Sequence, residues 1–305
     1  MSLSYLFHLQ LQIFSLIFIG YFLSKKKIIS KNLRTSITNL VIYLILPANI
    51  IHSFIIDFDK NILISSGLIL IVSLLLQIFC HFFSRFFYYK ISDSRIAVLK
   101  YATLCSNAGF MGTPVIYEIY GDNGLMLASL FLIPQRIVMW TAGISCFTKN
   151  KDNIIKKVLT HPCIIAVFIG VFIMVSNIQL PLFALQTIKS LSQCTTALSM
   201  IVIGSILSEI SIKSVLSPLS IYYSLIRLIV IPLIVLMFCF LFHLPYLVTA
   251  VSVVLTGMPA GTTTAILAEK YKGDSILAVK LVFLSTLLSL VTIPLLSILV
   301  NYLFK

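Results

Sequence analysis

Two stretches of the chain set helix breakers and small polar residues inside otherwise apolar sequence. One holds Asn107, Gly109, Gly112, Thr113 and Pro114, and the other holds Gly257, Pro259, Gly261, Thr262 and Thr263. Glycine and proline interrupt a helix and free backbone N–H and C=O groups, while the neighbouring amide and hydroxyls offer hydrogen bonds to a polar solute. Thr113 followed by Pro114 reads as an N-cap and a first helical residue, a helix starting in the middle of an apolar run. Thr262 to Thr264 are available to cap a second restart. A helix N-terminus carries about +0.5 elementary charge and unpaired N–H groups, which suits a carboxylate or similar anion.

Two arginines, Arg136 and Arg227, lie within apolar runs. At a bilayer centre each costs about 2.5 to 3.5 kcal/mol, so each must face protein or water. Either is a partner for an anion, or a structural arginine bonding the carbonyls of a helix break. Asn49, just beyond Pro47, adds an amide that can line the same site. The chemistry on offer is reversible binding of an anion. No GxSxG, HExxH, paired intramembrane aspartate or GxxxxGK[ST] pattern occurs, and the six cysteines form no CxxC pair. Hence no enzymatic activity, metal or cofactor is expected.

The elements that must position these residues follow from composition. Of 305 residues 59% are hydrophobic and only 10% charged, with a mean hydropathy of +1.08. Soluble domains carry about 25% charged residues, so an ordinary globular protein is excluded. Runs long enough to span a bilayer occur at about 5–24, 35–56, 62–83, 95–119, 124–147, 160–178, 184–208, 218–242, 246–270 and 275–303. The first has no cleavage site and is followed, not preceded, by its basic cluster, so it reads as a retained span.

The excess of basic residues, 22 Lys and Arg against 9 Asp and Glu, falls mainly on alternate connections. These hold Lys25, Lys26, Lys27, Lys31 and Arg34; Arg85, Lys90, Arg95 and Lys100; Lys149, Lys151, Lys156 and Lys157; Lys213; and Lys270 and Lys272. Only Lys60, Lys189 and Lys305 lie on the other side, with Arg136, Arg227 and Lys280 inside spans. The positive-inside rule places both termini outside the cytoplasmic membrane of the cell. The formal charge of +13 is therefore a topological signal and implies no nucleic-acid partner.

Shifting the chain on itself sets Glu118-Ile119-Tyr120-Gly121-Asp122 over Glu269-Lys270-Tyr271-Lys272-Gly273-Asp274, with one insertion. Each segment follows one of the broken stretches. Residues 1–150 and 151–305 then form two repeats of five spans, and an odd count inverts the second in the membrane. Paired breaks in inverted repeats point to a substrate site near the midplane.

The segments LILPANIIHSF (44–54), SNAGFMGTPVIYEIYGDNGLMLASLF (106–131) and TGMPAGTTTAILAEKYKGDSILAVKLVFLSTLLSLVTIP (256–294) resemble the auxin efflux carrier family. HPCIIAVFIG (161–170) and the IGSIL ending of span 7 fit as well. The resemblance implies an all-α integral membrane fold of ten helices in two inverted repeats, with helices 4 and 9 broken and crossing at the substrate site. It implies a scaffold of spans 1, 2, 6 and 7 and a transport domain of spans 3–5 and 8–10. It further implies a secondary carrier of small organic anions such as dicarboxylates or auxin-like acids, driven by a proton or sodium gradient or by neither, with a homodimer through the scaffold. Asn107 matches the family's crossover asparagine, whereas Thr262 to Thr264 replace an Asn-containing stretch. A channel or membrane sensor is the alternative, and an intramembrane enzyme ranks below both.

Further expectations concern single residues. Gln193, Thr195 and Thr196 of span 7 are candidates to line the site or to bond between helices. Trp140 and the Tyr88-Tyr89 pair are expected as interfacial anchors, and Pro134, Pro232 and Pro294 as plain kinks. Lys280 is expected to snorkel to the surface. Glu118 and Glu269 are expected at solvated half-helix ends, with coupling as the other role.

Overall fold

The computed structural model describes residues 3–55, 63–88, 91, 93–147, 160, 162–176, 178–209 and 212–304. Lys60, Tyr89, Lys90, Lys149, Lys151, Lys156, Lys157 and Lys305 lie outside the described residues, as do the side chains of Pro114, Glu118 and Lys213. The apolar runs fold as helices, because in hydrocarbon each backbone N–H and C=O must find a partner within its own segment. In chain order these are α1 Leu3–Lys25, α2 Lys31–Leu40, α3 Leu46–Phe54, α4 Leu63–Phe87, α5 Asp93–Leu104, α6 Thr113–Val138 and α7 Pro162–Ser176. They continue with α8 Leu182–Leu207, α9 Pro218–Leu225, α10 Ile231–Leu241, α11 Tyr246–Thr256, α12 Thr263–Lys270 and α13 Ser275–Leu303. Among the described residues there is no strand, only one isolated antiparallel bridge between Ser106 and Ala260.

Among the described residues six helical segments are long and apolar enough to cross a membrane: Lys31–His52, Ile64–Phe87, Asn123–Gly143, Leu182–Leu207, Pro218–Leu241 and Ser275–Leu303. Shorter apolar helices, Phe14–Lys25 and Tyr246–Thr256, accompany them. The protein is a multi-pass, all-helical membrane protein.

Local sequence explains how the helices start and bend. Ser30 accepts from the Leu33 N–H and Asp274 from the Leu277 N–H, capping α2 and α13. Three prolines each follow a π-turn by two residues: Val41–Ile45 precedes Pro47, Ala108–Gly112 precedes Pro114, and Ile226–Val230 precedes Pro232. Proline clashes with the carbonyl four residues back and lacks an N–H, and the widened turn relieves that clash without ending the helix. Pro232 is thus more than a plain kink, whereas Pro134 and Pro294 sit within α6 and α13. Within α6, Gly121 takes φ +63°, and this left-handed residue turns the chain between two helical stretches.

Side-chain contacts tie the turns together at one end. There Ser208 Oγ donates to Ser24 Oγ (2.9 Å), Arg34 meets Glu209 and Glu269, and Arg95 lies 3.7 Å from Asp274. The Phe147 ring stacks over Tyr271 at 6.3 Å. At the other end Tyr120 packs against Tyr246, and Phe240 against Phe304.

Trp140 and Tyr88 correct the sequence expectation. Neither is an interfacial anchor: both are fully buried, Trp140 in the π-turn Met139–Gly143 and Tyr88 bonded to Thr103 Oγ1 at 2.9 Å. An aromatic near the end of an apolar run looks interfacial in sequence, but here neighbouring helices cover it.

Candidate functional site

The helical backbone stops twice, between α5 and the π-turn at Ala108, and between α11 and α12, and the two interruptions meet. The Asn107 N–H donates to Pro259 O (2.8 Å), and the Gly261 N–H donates to Cys105 O (2.9 Å). These bonds flank Ser106 and Ala260 as a minimal antiparallel pair. The approach demands glycine at 261, since a Cβ there would stand 2.9 Å from Cys105 O and 3.2 Å from Ser106 O.

The remaining exposed groups of the breaks are matched one by one, as a water-free interior requires. The Ala260 N–H donates to Ser285 Oγ (3.1 Å), and Gln135 Nε2 donates to Ser106 O (2.9 Å). Arg227 supplies the largest share. Its Nε, Nη1 and Nη2 donate to Met258 O, Thr103 O and Thr256 O at 3.1, 3.0 and 3.0 Å. It is 2% exposed and closes the C-terminal ends of α5 and α11, the structural role of the two open at the sequence level.

The first restart differs from expectation. The chain becomes helical again at Ala108, not at Pro114, with Asn107 (φ −79°, ψ 28°) immediately before it. Thr113 is no N-cap; its hydroxyl donates back to Ala108 O (3.2 Å) and Gly109 O (3.0 Å). The π-turn explains the shift, since it absorbs Pro114 inside a continuing helix. The second restart falls at Thr263, within the run Thr262 to Thr264 expected to cap it, but Thr262 makes no side-chain cap.

Beside the crossing lies a cavity of about 40 Å³. Of the residues singled out in the sequence, Asn49, Asn107, Gly109, Arg136, Gly261, Thr262 and Thr263 line it. Gly112, Thr113, Gly257, Pro259 and Arg227 do not; they shape the breaks behind it, and the side chain of Pro114 lies outside the described residues. Both restarted helices bring their N-terminal residues to this cavity, and Arg136 adds a full positive charge. The guanidinium also lies 5.6 Å from the Phe54 ring centroid. Asn107 Oδ1 and Thr262 Oγ1 are buried without a hydrogen-bond partner, which in a close-packed interior marks groups kept for something else. The cavity can hold a water or two and no organic solute until its walls part.

Sequence reasoning missed Gln135 and Ser106, which clasp each other across the cavity wall: Ser106 Oγ donates to Gln135 Oε1 at 3.2 Å. A glutamine beside Arg136 in mid-run was the available signal. Of the span 7 candidates none lines the cavity; Thr195 Oγ1 turns to Ser192 O (2.7 Å). Ser192 instead accepts from Asn49 Nδ2 (2.9 Å), joining α3 to α8. Glu269 is not simply solvated, because it pairs with Arg34, whereas Lys280 is half-buried near the start of α13.

Comparison with known proteins gives the family. The pattern of the membrane transport protein family matches residues 5–297. An uncharacterized transporter of Methanocaldococcus jannaschii is 27% identical over 295 residues, covering 92% of this chain and 94% of that protein. Another, from Methanothermobacter thermautotrophicus, is 28% identical over 204 residues, covering 66% and 67% respectively.

Proposed function

The chain belongs to the membrane transport protein family, that of the auxin efflux carriers, and on that premise we propose that it is a secondary carrier of a small organic anion. The observation that carries the anion is the cavity at the crossing. There Arg136, two helix N-termini and the unpartnered Asn107 Oδ1 and Thr262 Oγ1 converge, and among the described side chains no carboxylate lines the wall. The guanidinium and N–H groups bind the anionic end of a dicarboxylate or auxin-like acid. The two side-chain oxygens accept from a hydroxyl or a protonated carboxyl.

Alternating access follows from where the cavity lies. One wall is α3, with Leu46, Asn49 and Ile50, and the other is the crossing with Gln135 and Arg136. In the proposed division α3 belongs to the scaffold of spans 1, 2, 6 and 7, and the crossing belongs to the transport domain of spans 3–5 and 8–10. Separation of these walls opens the site, and the ion pairs at the Arg34 end hold it shut on that side. Ten spans in two inverted repeats, 1–150 and 151–305, with both termini outside the cytoplasmic membrane, complete the reading. The joining of basic turns at one end supports it. A proton or sodium gradient is the driving force to test, and the scaffold is the face for a homodimer.

The decisive experiment is flux of labelled dicarboxylates and an indole acid in proteoliposomes, with and without an imposed pH or sodium gradient. Saturable flux that falls with Asn107→Ala and Arg136→Gln is expected. Flux indifferent to both substitutions would remove the crossing as the site. Ion currents far above carrier turnover would mark a channel, and ligand binding without flux a sensor.

A further inference from the structure

A second cavity, about 510 Å³, opens between the end of α4, the middle of α5 and the residues that follow the Met139–Gly143 π-turn. It is an order of magnitude larger than the cavity at the crossing and falls within the ~300–1,000 Å³ typical of small-molecule sites. Its ionisable lining is basic: His81 and Arg85 from α4 and Lys100 from α5, with Ser84, Ser145 and Cys146 between them. Among the described side chains no carboxylate lines it. The three carboxylates whose side chains are described are engaged elsewhere: Glu209 and Glu269 hold Arg34, and Asp274 lies against Arg95.

The two hydroxyls spend their protons on helix carbonyls, Ser84 on His81 O (2.9 Å) and Ser145 on Ala142 O (2.6 Å). Donation to a ligand is therefore left to guanidinium, ammonium and imidazole, the set that recognises phosphate oxygens. Like charges gathered around one cavity repel unless an anion sits among them.

The surroundings narrow the ligand further. Arg85 lies two residues before the end of α4, where Phe82 is 61% and Phe86 77% exposed. Basic pockets between membrane helices beside lipid-facing rings are where phosphate headgroups are held. All three walls also belong to one proposed moving body, so an anion bound here rides with that body and leaves the crossing free.

We propose that the cavity between His81, Arg85 and Lys100 is a binding site for a phosphate ester anion, distinct from the site at the crossing. The ester comes either from the headgroup of an acidic phospholipid or from a soluble metabolite, and the chemistry is the same.

Cys146 lines the cavity and reports its occupancy. In a Cys163→Ser, Cys194→Ser background, the rate of Cys146 alkylation by a small maleimide is measured on the full chain in nanodiscs. Cys80, Cys105 and Cys239 are buried and give the background rate. Three conditions are compared: phosphatidylcholine alone, phosphatidylcholine with phosphatidylglycerol, and phosphatidylcholine with glycerol 3-phosphate. Occupancy slows alkylation about tenfold, and R85Q/K100Q together abolish the protection, while Arg85→Lys retains most of it and certifies the fold. Lys31→Gln, an exposed charge outside the cavity, leaves protection intact. Protection by phosphatidylglycerol alone assigns a lipid headgroup, and protection by glycerol 3-phosphate assigns a soluble ester. Absence of protection in both arms overturns the proposal, as does protection that survives R85Q/K100Q or is lost equally in Lys31→Gln.

Discussion

The guanidinium of Arg34 lies 3.0 Å from the carboxylate of Glu269, although 235 residues separate them in sequence. The same guanidinium reaches Glu209 at 2.8 Å, and Arg34 itself is 5% exposed. One residue on, Lys270 donates to Asn39 Oδ1 and lies 4.5 Å from the Tyr43 ring centroid. The last turn of α12 is thereby fastened to α2 at two adjacent points. Glu269→Gln removes the ionic half of that fastening while Glu209 still holds Arg34. A loss of about 1 to 2 kcal/mol is expected, roughly a 5- to 30-fold shift toward the state open at this end. Alkylation of an introduced Ile50→Cys, on the cavity wall, accelerates accordingly when reagent is added from that side. An unchanged rate would mean the pair is not a gate.

Arg227 and Arg136 should separate cleanly in experiment. Arg227→Ala leaves three buried carbonyls without their donor, and a loss of about 3 to 5 kcal/mol in stability is expected. Arg227→Lys recovers only part, because a single ammonium cannot span carbonyls that a planar fork reaches in three directions. Thermal unfolding in detergent reads both. Molecules that remain folded keep their substrate affinity.

Arg136→Gln, in contrast, should spare the fold and weaken the substrate. Loss of a charged hydrogen bond costs about 1.5 to 3 kcal/mol, a rise in KM or Kd of roughly 10- to 100-fold. Titration of a carboxylate substrate against purified protein decides this. Equal affinity in the two forms would move the anion elsewhere.

Thr262→Val gives the most unusual expectation, a stability gain joined to a functional loss. The hydroxyl is wholly buried with no hydrogen-bond partner, and valine has nearly the same shape. Removing an unpaired polar atom raises stability by about 1 kcal/mol, while substrate affinity drops about fivefold. Melting temperature and binding measured on one preparation check the opposite signs.

Sequence revealed the kind of site more readily than its wiring. Breakers and polar residues in apolar runs mark both interruptions, and the second helix resumes at Thr263, within the threonine run offered to cap it but without a side-chain cap. The first restart lies six residues earlier than Pro114, which reads as a helix start although a π-turn carries it inside a continuing helix. Pro47 and Pro232 repeat that arrangement, so the signal is general to this chain, but nothing in one proline reveals how the preceding turn widens. The duty of Arg227 was undecidable from sequence, since two of its acceptors lie in the 256–258 stretch and the third is Thr103. Trp140 and Tyr88 misled for a related reason: covering helices arrive from distant segments. The two-domain division and the inverted repeat remain part of the proposal.

The joint at Ser106 and Ala260 is made from main-chain atoms alone. Such a weld does not read the side chains it carries, Gly261 apart. Residues lining the cavity, Thr262 and Thr263 among them, can therefore be exchanged without recasting the crossing. On the proposed function, selectivity and architecture are thus separately adjustable here.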